Sequence, residues 1–226
     1  MNIEPIGRIK CDFKEKFGIP LQSGLANTKA EIVFLPEYSS PDAFRGLEGY
    51  SHIWLLWGFD RIEKEVISLT VRPPRLGGNI RMGVFATRSP FRPNHIGLSL
   101  VELEDIVNDR ERGTVLKISG ADLCDGTPIY DIKPYLPSIE CKPEARGGFA
   151  KEKEGYSLSV EIPERICEKL QEQKVRELKE ILSGDPRPSY HDNPERIYKM
   201  TYGNLEVSFR VEKSALWVVD ICEKLG

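Results

Sequence analysis

The first 140 or so residues alternate between short strand-like runs and turn-forming residues, and this pattern limits the fold more than any other feature. Residues 98–104 and 114–118 alternate between apolar and polar side chains, as half-buried antiparallel strands do. Only one helix is predicted here, with Ser40 as its N-cap and Pro41 in its first turn. The predicted strands cover residues 3–10, 31–35, 50–59, 66–71, 81–86, 98–107 and 114–119. About seven strands with so little helix predict a closed or nearly closed antiparallel β-barrel.

The pattern changes after residue 143, where a short stretch of small and charged residues (145–155) indicates a linker. An apolar stripe at helical spacing, with Pro163 before it and Gly184 after it, predicts a helix over residues 163–183. Three strand-like runs follow, at residues 196–202, 205–212 and 216–221. The predicted fold is therefore mainly β with an α+β part. An N-terminal antiparallel β-barrel (1–143) is followed by a small C-terminal domain with a helix and a three-stranded meander (156–226).

Composition excludes several classes of protein. The chain has 226 residues with 32 Lys and Arg against 35 Asp and Glu, and this balance of charge disfavours a protein that coats nucleic acid over its whole surface. The longest apolar run, residues 53–59, is far shorter than the roughly 20 residues of a membrane helix. The N-terminus lacks a signal peptide and the five cysteines form no C-x-x-C pair, so we expect a cytoplasmic protein. The three histidines lack the spacing of metal ligands, and no metal is expected.

The strongest anomaly is electrostatic. Residues 66–101 contain no Asp or Glu but include Arg72, Arg75, Arg81, Arg88 and Arg92. Arginine presents a rigid fork of donors that suits phosphate and carboxylate, so this stretch predicts an anion-binding face. RNA, a nucleotide or another polyanion would fit equally well, and a chance cluster of solvated arginines is the simpler alternative.

A second anomaly is the stretch 122–135, in which three carboxylates, one lysine and two tyrosines surround an Asp-Gly turn. A turn with Asp125 at its corner needs no functional explanation. Asp131 and Lys133 lie two residues apart on a predicted strand, so their side chains share one face and can form an acid–base pair. No G-x-G-x-x-G, P-loop or G-x-S-x-G motif accompanies these residues, so a Rossmann-type cofactor site and a nucleophile elbow have no support.

Several long and individually unusual motifs occur along the chain. They are KFGIPLQSGL at 16–25, RGLEGYSHIW at 45–54, RPPRLGG at 72–78, GVFATRSPFRPN at 83–94, DGTP at 125–128 with PY at 134–135, and DPRPSY at 185–190. Together they resemble those of the TsaA-like (YaeB/TrmO) family, S-adenosylmethionine-dependent methyltransferases of tRNA. The resemblance reaches into the second predicted domain and therefore spans nearly the whole chain.

The resemblance implies an N-terminal β-barrel and a homodimer. It also implies methylation at N6 of N6-threonylcarbamoyladenosine, at position 37 of tRNA beside the anticodon. The positions that match cofactor-contacting residues of the family are Ser23, Gly24, Leu25, Asp60, Arg61, Arg88, Leu98, Asp125, Gly126, Thr127 and Pro128.

Methyl transfer from a sulfonium is an in-line displacement, so such a protein mainly positions the donor and the acceptor nitrogen. The acceptor N–H must lose its proton, to Asp131, to Asp125 or to a bound water. The candidate catalytic residues are Asp131, Lys133 and Tyr135. Arg72, Arg75 or Arg92 would hold the threonyl carboxylate of the substrate. The candidate tRNA-binding residues are Arg72, Arg75, Arg81 and Arg92.

Two other functions remain open from the sequence. One is a non-catalytic RNA-binding module, in which the arginine stretch holds phosphates and the Asp-Gly turn is only structural. The other is a hydrolase of a phosphorylated small molecule. Affinity for S-adenosylmethionine separates the alternatives, because an RNA-binding module has no reason to take up this cofactor.

Overall fold

The structure, a computed structural model, describes residues 2–62, 67–73, 80–149, 155–188 and 193–224. These residues form twelve β-strands. The strands are β1 (Gly7–Cys11), β2 (Lys29–Phe34), β3 (His52–Gly58), β4 (Thr70–Val71), β5 (Met82–Gly83), β6 (Ile96–Asp109), β7 (Gly113–Ser119), β8 (Pro128–Pro134), β9 (Ser159–Glu161), β10 (Tyr198–Tyr202), β11 (Leu205–Glu212) and β12 (Ala215–Glu223). The helices are α1 (Pro137–Glu140), α2 (Glu164–Cys167) and α3 (Glu172–Ser183).

Six strands close into an antiparallel barrel in the order β1-β2-β7-β6-β3-β8, which confirms the predicted barrel. The strands predicted at 66–71 and 81–86 are largely wrong within the described residues. Only Thr70–Val71 and Met82–Gly83 pair, as a separate two-stranded ribbon, and Val84–Ala86 is a 3-10 helix. In this excursion between β3 and β6, Pro73 and Pro90 lack the N–H that a longer ladder needs.

The barrel interior is filled by alternate side chains of its strands. Ile32 on β2 and Ile53 and Leu55 on β3 are fully buried. Trp57 also points inward, and Gly97 opposite it leaves the necessary room. A Cβ at position 97 would lie 2.3 Å from the Trp57 ring, so only glycine fits there.

The predicted N-terminal helix is a single 3-10 turn, Pro41–Phe44. Ser40 caps it as predicted, with its hydroxyl accepting a hydrogen bond from the Asp42 N–H at 3.4 Å. Phe44 is buried and packs edge-on against Phe34, with ring centroids 4.8 Å apart. Phe44 thus adds a side chain from the connection between β2 and β3 to the barrel core.

The C-terminal region follows the prediction with two differences. The helix predicted over 163–183 is interrupted, because α2 ends at Cys167 and α3 begins at Glu172. The meander β10-β11-β12 is confirmed, but β9 adds a fourth strand, parallel to β12. Leu178, Ile181 and Leu182 of α3 are buried against this sheet.

The connection between β1 and β2, residues 12–28, joins the two regions. Phe13 and Ala26 belong to this connection but are buried in the core of the C-terminal region. The ring of Phe13 lies 5.1 Å from that of Tyr202 on β10, centroid to centroid. Residues near the N-terminus therefore complete a core built mainly by residues after 155.

Candidate active site

The directions of the barrel strands bring three connections to the same end of the barrel. Strands β1, β3 and β7 finish at this end, and β2, β6 and β8 begin there, because all neighbouring strands are antiparallel. The connections 12–28, 59–95 and 120–127 therefore emerge side by side. All the predicted cofactor-binding positions except Leu98 and Pro128 lie in these connections. Leu98 and Pro128 lie among the first residues of β6 and β8.

The Asp-Gly turn is held firmly at this end. Gly126 has φ of +81°, and the Thr127 N–H donates to the Cys124 carbonyl at 3.2 Å. Both oxygens of the Asp125 carboxylate already accept hydrogen bonds, one from the Cys11 N–H at 2.9 Å and one from Lys14 Nζ at 2.8 Å. Although partial burial opposes ionisation, these bonds hold the pKa of Asp125 below its usual range. The carboxylate is therefore ionised and preorganised.

Arg61 joins this turn to the connection between β1 and β2. Its guanidinium donates to the Asp125 carbonyl at 2.7 Å and to the Lys14 carbonyl at 3.0 Å. Lys16 in turn donates to the Arg61 carbonyl at 3.1 Å. Asp60 beside it is exposed. The structure thus unites residues predicted at 60–61 and 125–128, which are more than 60 positions apart.

The segment Ser23-Gly24-Leu25 lies against the barrel wall. The Ser23 hydroxyl accepts from the Leu100 N–H of β6 at 3.2 Å, and the Gly24 N–H donates to the Gly120 carbonyl at 2.8 Å. Leu25 is 53% exposed and Leu98 is 47% exposed. Two apolar side chains are therefore open to a ligand at this end of the barrel.

Asp122, Ser99 and Trp57 form a partly buried polar chain that sequence reasoning did not select. Trp57 Nε1 donates to the Ser99 hydroxyl at 2.9 Å, and this hydroxyl donates to Asp122. Burial raises the pKa of Asp122, although Ser99 and Arg88 favour its charged form. The signal in the sequence was a carboxylate directly between Ala121 and Leu123, both of which are buried.

The candidate catalytic residues lie along β8. Lys133 and Asp131 share the outer face of the barrel, as predicted, and form an ion pair with 2.9 Å between Nζ and Oδ2. Asp131 on β8 is in register with Leu56 on β3, and Leu56 is in register with Leu98 on β6. Strands β8 and β6 flank β3, so they are about 10 Å apart. Tyr135 lies beyond the far end of β8, where its N–H donates to the His52 carbonyl at 3.0 Å. The structure therefore does not bring Tyr135 to the end where the cofactor positions meet.

The arginine stretch divides into exposed and anchored residues. Val71 pairs with Met82 in the ribbon. Arg72 follows Val71 and Arg81 precedes Met82, so these two exposed arginines lie at the same end of the ribbon. Arg88 donates to the Gln22 side chain at 2.6 Å, and the half-buried Arg92 donates to the carbonyls of its own loop. Arg75 lies outside the described residues.

Within the described ranges, no cluster of three or more His, Cys, Asp or Glu side chains is arranged to hold a metal ion. Among the helices of those ranges, none is long and apolar enough to cross a membrane.

Comparison with known proteins identifies the class to which this fold and site belong. The tRNA-methyltransferase O N-terminal domain matches residues 8–141, and the TrmO C-terminal domain matches residues 156–224. A crystal structure of TrmO from Pseudomonas aeruginosa is 34% identical in sequence, with a TM-score of 0.76 and 98% of each chain covered.

Relatives with known names agree with this class. The chain is 42% identical over 217 residues to a tRNA (adenine(37)-N6)-methyltransferase of Escherichia coli K12, covering 92% of each chain. It is 39% identical over 140 residues to a probable S-adenosyl-L-methionine-binding protein of Methanothermobacter thermautotrophicus, covering 62% of this chain and 93% of that one. The chain belongs to the tRNA-methyltransferase O (TrmO) family, which confirms the resemblance found in the sequence.

Proposed function

We propose that this protein is a tRNA methyltransferase that transfers the methyl group of S-adenosylmethionine to N6 of N6-threonylcarbamoyladenosine at position 37 of tRNA. The enzyme class follows from membership of the tRNA-methyltransferase O family. The observation that carries the site is the convergence of connections 12–28, 59–95 and 120–127 at one end of the barrel. We propose residues 1–143 as the cofactor-binding unit and 156–226 as a unit that aids tRNA binding.

The residues at this end fit S-adenosylmethionine by their chemistry. Leu25 and Leu98 offer exposed apolar surface to an adenine ring. A Cβ built on Gly24 or Gly126 would meet no heavy atom within 4 Å, so a ligand has open space beside both backbones. Opposite charges from Asp60 and Arg88 suit the amino and carboxylate groups of the methionine part. When bound, the cofactor supplies an electrophilic methyl group, and the protein supplies its orientation.

We favour Asp131 over Asp125 as the residue that accepts the proton from the acceptor nitrogen. Asp125 is a weak base, because its two oxygens are hydrogen-bonded. Burial raises its pKa, but Lys14 and the Cys11 N–H together outweigh burial and hold the pKa below its usual range. The Asp131 carboxylate is half exposed and has the Lys133 ammonium group beside it. Lys133 can hold the substrate, and it stabilises the negative charge of Asp131 before the proton is accepted.

The direct test is mass spectrometry of tRNA nucleosides after incubation with S-adenosylmethionine. We expect one added methyl group on threonylcarbamoyladenosine and none on unmodified adenosine. Asp131→Asn should lower kcat with little change in cofactor affinity. Binding of tRNA without binding of S-adenosylmethionine would favour the non-catalytic RNA-binding module instead.

We propose Arg72 and Arg81 as contacts to tRNA phosphates, with Arg75 from the same stretch. Each replacement by Ala should reduce the slope of log K against log salt by about 0.7–0.9, as expected for one lost phosphate contact. Arg88→Ala and Arg92→Ala are the matched comparisons, because their guanidinium groups are engaged within the loops. These two should reduce methylation with much smaller effects on the salt dependence. Uniform behaviour of all the variants would mean that the stretch is one basic surface.

We propose that the protein acts as a cytoplasmic homodimer. Large apolar side chains are exposed on the excursion between β3 and β6, including Leu69 and Phe85, each 75% exposed. Such a patch favours a partner surface, and closed two-fold dimers are the commonest soluble assemblies. Sedimentation should give twice the 25.7 kDa chain mass, and Phe85→Asp should reduce it. Ile139→Asp, at a similarly exposed apolar residue on α1, should leave the dimer intact.

A further inference from the structure

We propose that Asp122 is a positioning residue for the methyl donor, because its partly buried carboxylate is bonded to the barrel through Ser99, next to the contacts of Leu100 and Gly120 that hold the segment 22–25. The inference rests on the proposed function, in which this segment holds S-adenosylmethionine. Asp122 itself is not among the residues predicted to contact the cofactor.

The location of Asp122 demands a structural partner. It lies in the connection between β7 and β8, next to Ala121 and Leu123, which are 3% and 1% exposed. A carboxylate among buried apolar side chains is costly unless hydrogen bonds compensate for the lost water. The contacts of this carboxylate therefore show what holds it in place.

On its inner side, Asp122 is bonded to the barrel. Oδ1 accepts a hydrogen bond of 2.5 Å from the Ser99 hydroxyl, which in turn accepts from Trp57 Nε1 at 2.9 Å. Ser99 is completely buried on β6, and Trp57 is buried on β3. The carboxylate is thus fixed to two central strands of the barrel.

On its outer side, Asp122 faces the segment 22–25. The Ser23 backbone and the positive charge of Arg88 both favour the ionised form of this carboxylate, which burial opposes. Arg88 also donates to the Gln22 side chain at 2.6 Å, one residue before Ser23. A partly buried anion and an exposed cation therefore lie beside the segment.

Two further bonds depend on this position. The Ser23 hydroxyl accepts from the Leu100 N–H at 3.2 Å, and the Gly24 N–H donates to the Gly120 carbonyl at 2.8 Å. Loss of the charge at Asp122 would leave the Ser23 backbone and Arg88 without their anionic partner. The segment would then be free to shift, while Arg72 and Arg81 on the ribbon would keep their positions.

The test uses Asp122→Asn and Ser99→Ala in the full-length chain. Calorimetry gives the affinity for S-adenosylmethionine, and steady-state kinetics give KM for cofactor and tRNA separately. Loss of a hydrogen bond to a charged group should weaken cofactor binding about tenfold to a hundredfold in Asp122→Asn. We expect a smaller loss in Ser99→Ala, with KM for tRNA and kcat at saturating cofactor unchanged in both.

Ser119→Ala is the matched control. Ser119 is also buried in the barrel and donates to a carboxylate, but it lies on β7 and its partner is Glu102, at 3.1 Å, instead of Asp122. This variant should bind cofactor like the wild type. If Asp122→Asn does not fold, the contrast between Ser99→Ala and Ser119→Ala decides the question.

The outcomes separate the inference from the function on which it rests. Failure of the wild type to bind S-adenosylmethionine would overturn the proposed function. A wild type that binds, together with wild-type affinity in Asp122→Asn or equal losses in Ser99→Ala and Ser119→Ala, would overturn only the role of Asp122. Parallel increases in KM for cofactor and tRNA would likewise contradict a positioning role specific to the methyl donor.

Discussion

The barrel and the C-terminal region are both built around β-sheet, but they bury different kinds of residues. Within the described residues, the barrel core takes its apolar side chains from its own strands and adjoining turns, and its buried polar groups are neutral, as Ser99 and Thr114 are. The C-terminal core takes Phe13 and Ala26 from the first connection of the barrel. It also buries a charged residue, Glu177.

Glu177 is part of a network that crosses between the two regions. Its carboxylate accepts from the Tyr202 hydroxyl at 2.9 Å and from Lys174 Nζ at 3.0 Å. Lys174 also bonds to Asp12 Oδ2 at 2.7 Å, and Asp12 directly follows β1. The comparison teaches that the barrel core is self-contained, whereas the C-terminal core depends on the connection that also carries Ser23.

The largest expected effect comes from Phe13→Ala, which should destabilise the C-terminal region by about 3–5 kcal/mol through lost burial and a cavity. Hydrogen exchange measured by mass spectrometry should accelerate in β10 and β11 more than in β2 and β7. Phe44→Ala, which removes a buried ring on the barrel side, should give the reverse order. Unchanged exchange in β11 after Phe13→Ala would mean that the regions do not share a core.

A smaller effect is expected from Lys174→Met, which removes the cationic partner of the buried Glu177. Breaking such a pair should cost about 2–3 kcal/mol here, because Lys174 is itself partly exposed. Lys199→Met provides the comparison, since the exposed Lys199 on β10 forms an ion pair with Glu206 on β11, in the same C-terminal region. Exposed pairs contribute less than about 1 kcal/mol. Denaturant unfolding measures both, and equal losses would argue against a special role for the crossing network.

The smallest effect concerns acid stability in the C-terminal region. Although burial opposes ionisation, Arg187, with bonds of 2.8 and 2.9 Å, and Tyr156 hold the pKa of Asp185 below its ordinary value. A lowered pKa in the folded state stabilises the protein above the unfolded value of about 3.9, and this contribution disappears as pH falls through the folded value.

Asp185→Asn should therefore cost about 1–2 kcal/mol at neutral pH, and its difference from the wild type should shrink below about pH 4. Thermal unfolding as a function of pH measures this difference. Asp42→Asn, at an exposed pair with Arg45, should change stability little at any pH. A constant difference for Asp185→Asn across the acid range would contradict the assignment.

The sequence by itself determined the class of fold and the family. Alternation at residues 98–104 and 114–118 specifies strands with one buried face, because side chains on a strand point to opposite sides in turn. The DGTP motif at 125–128 specifies a turn, because only glycine readily adopts φ of +81°. Ser40 was recognised as a cap because a serine hydroxyl can accept the free N–H groups of a helix start. These features are local, because each depends only on residues that are close together in the chain.

Tertiary structure decided what depends on distant residues. The break between α2 and α3 lies in a stretch whose residues suit a helix, and β9 is a three-residue strand that exists only because β12 lies beside it. Arg61 reaches the Asp125 carbonyl across 64 positions, and Asp122 meets Ser99 and Ser23 only after the barrel closes. Burial, hydrogen-bond partners and pKa values belong to the folded surroundings of a side chain, so no pattern in the sequence could show which partners Asp122 has.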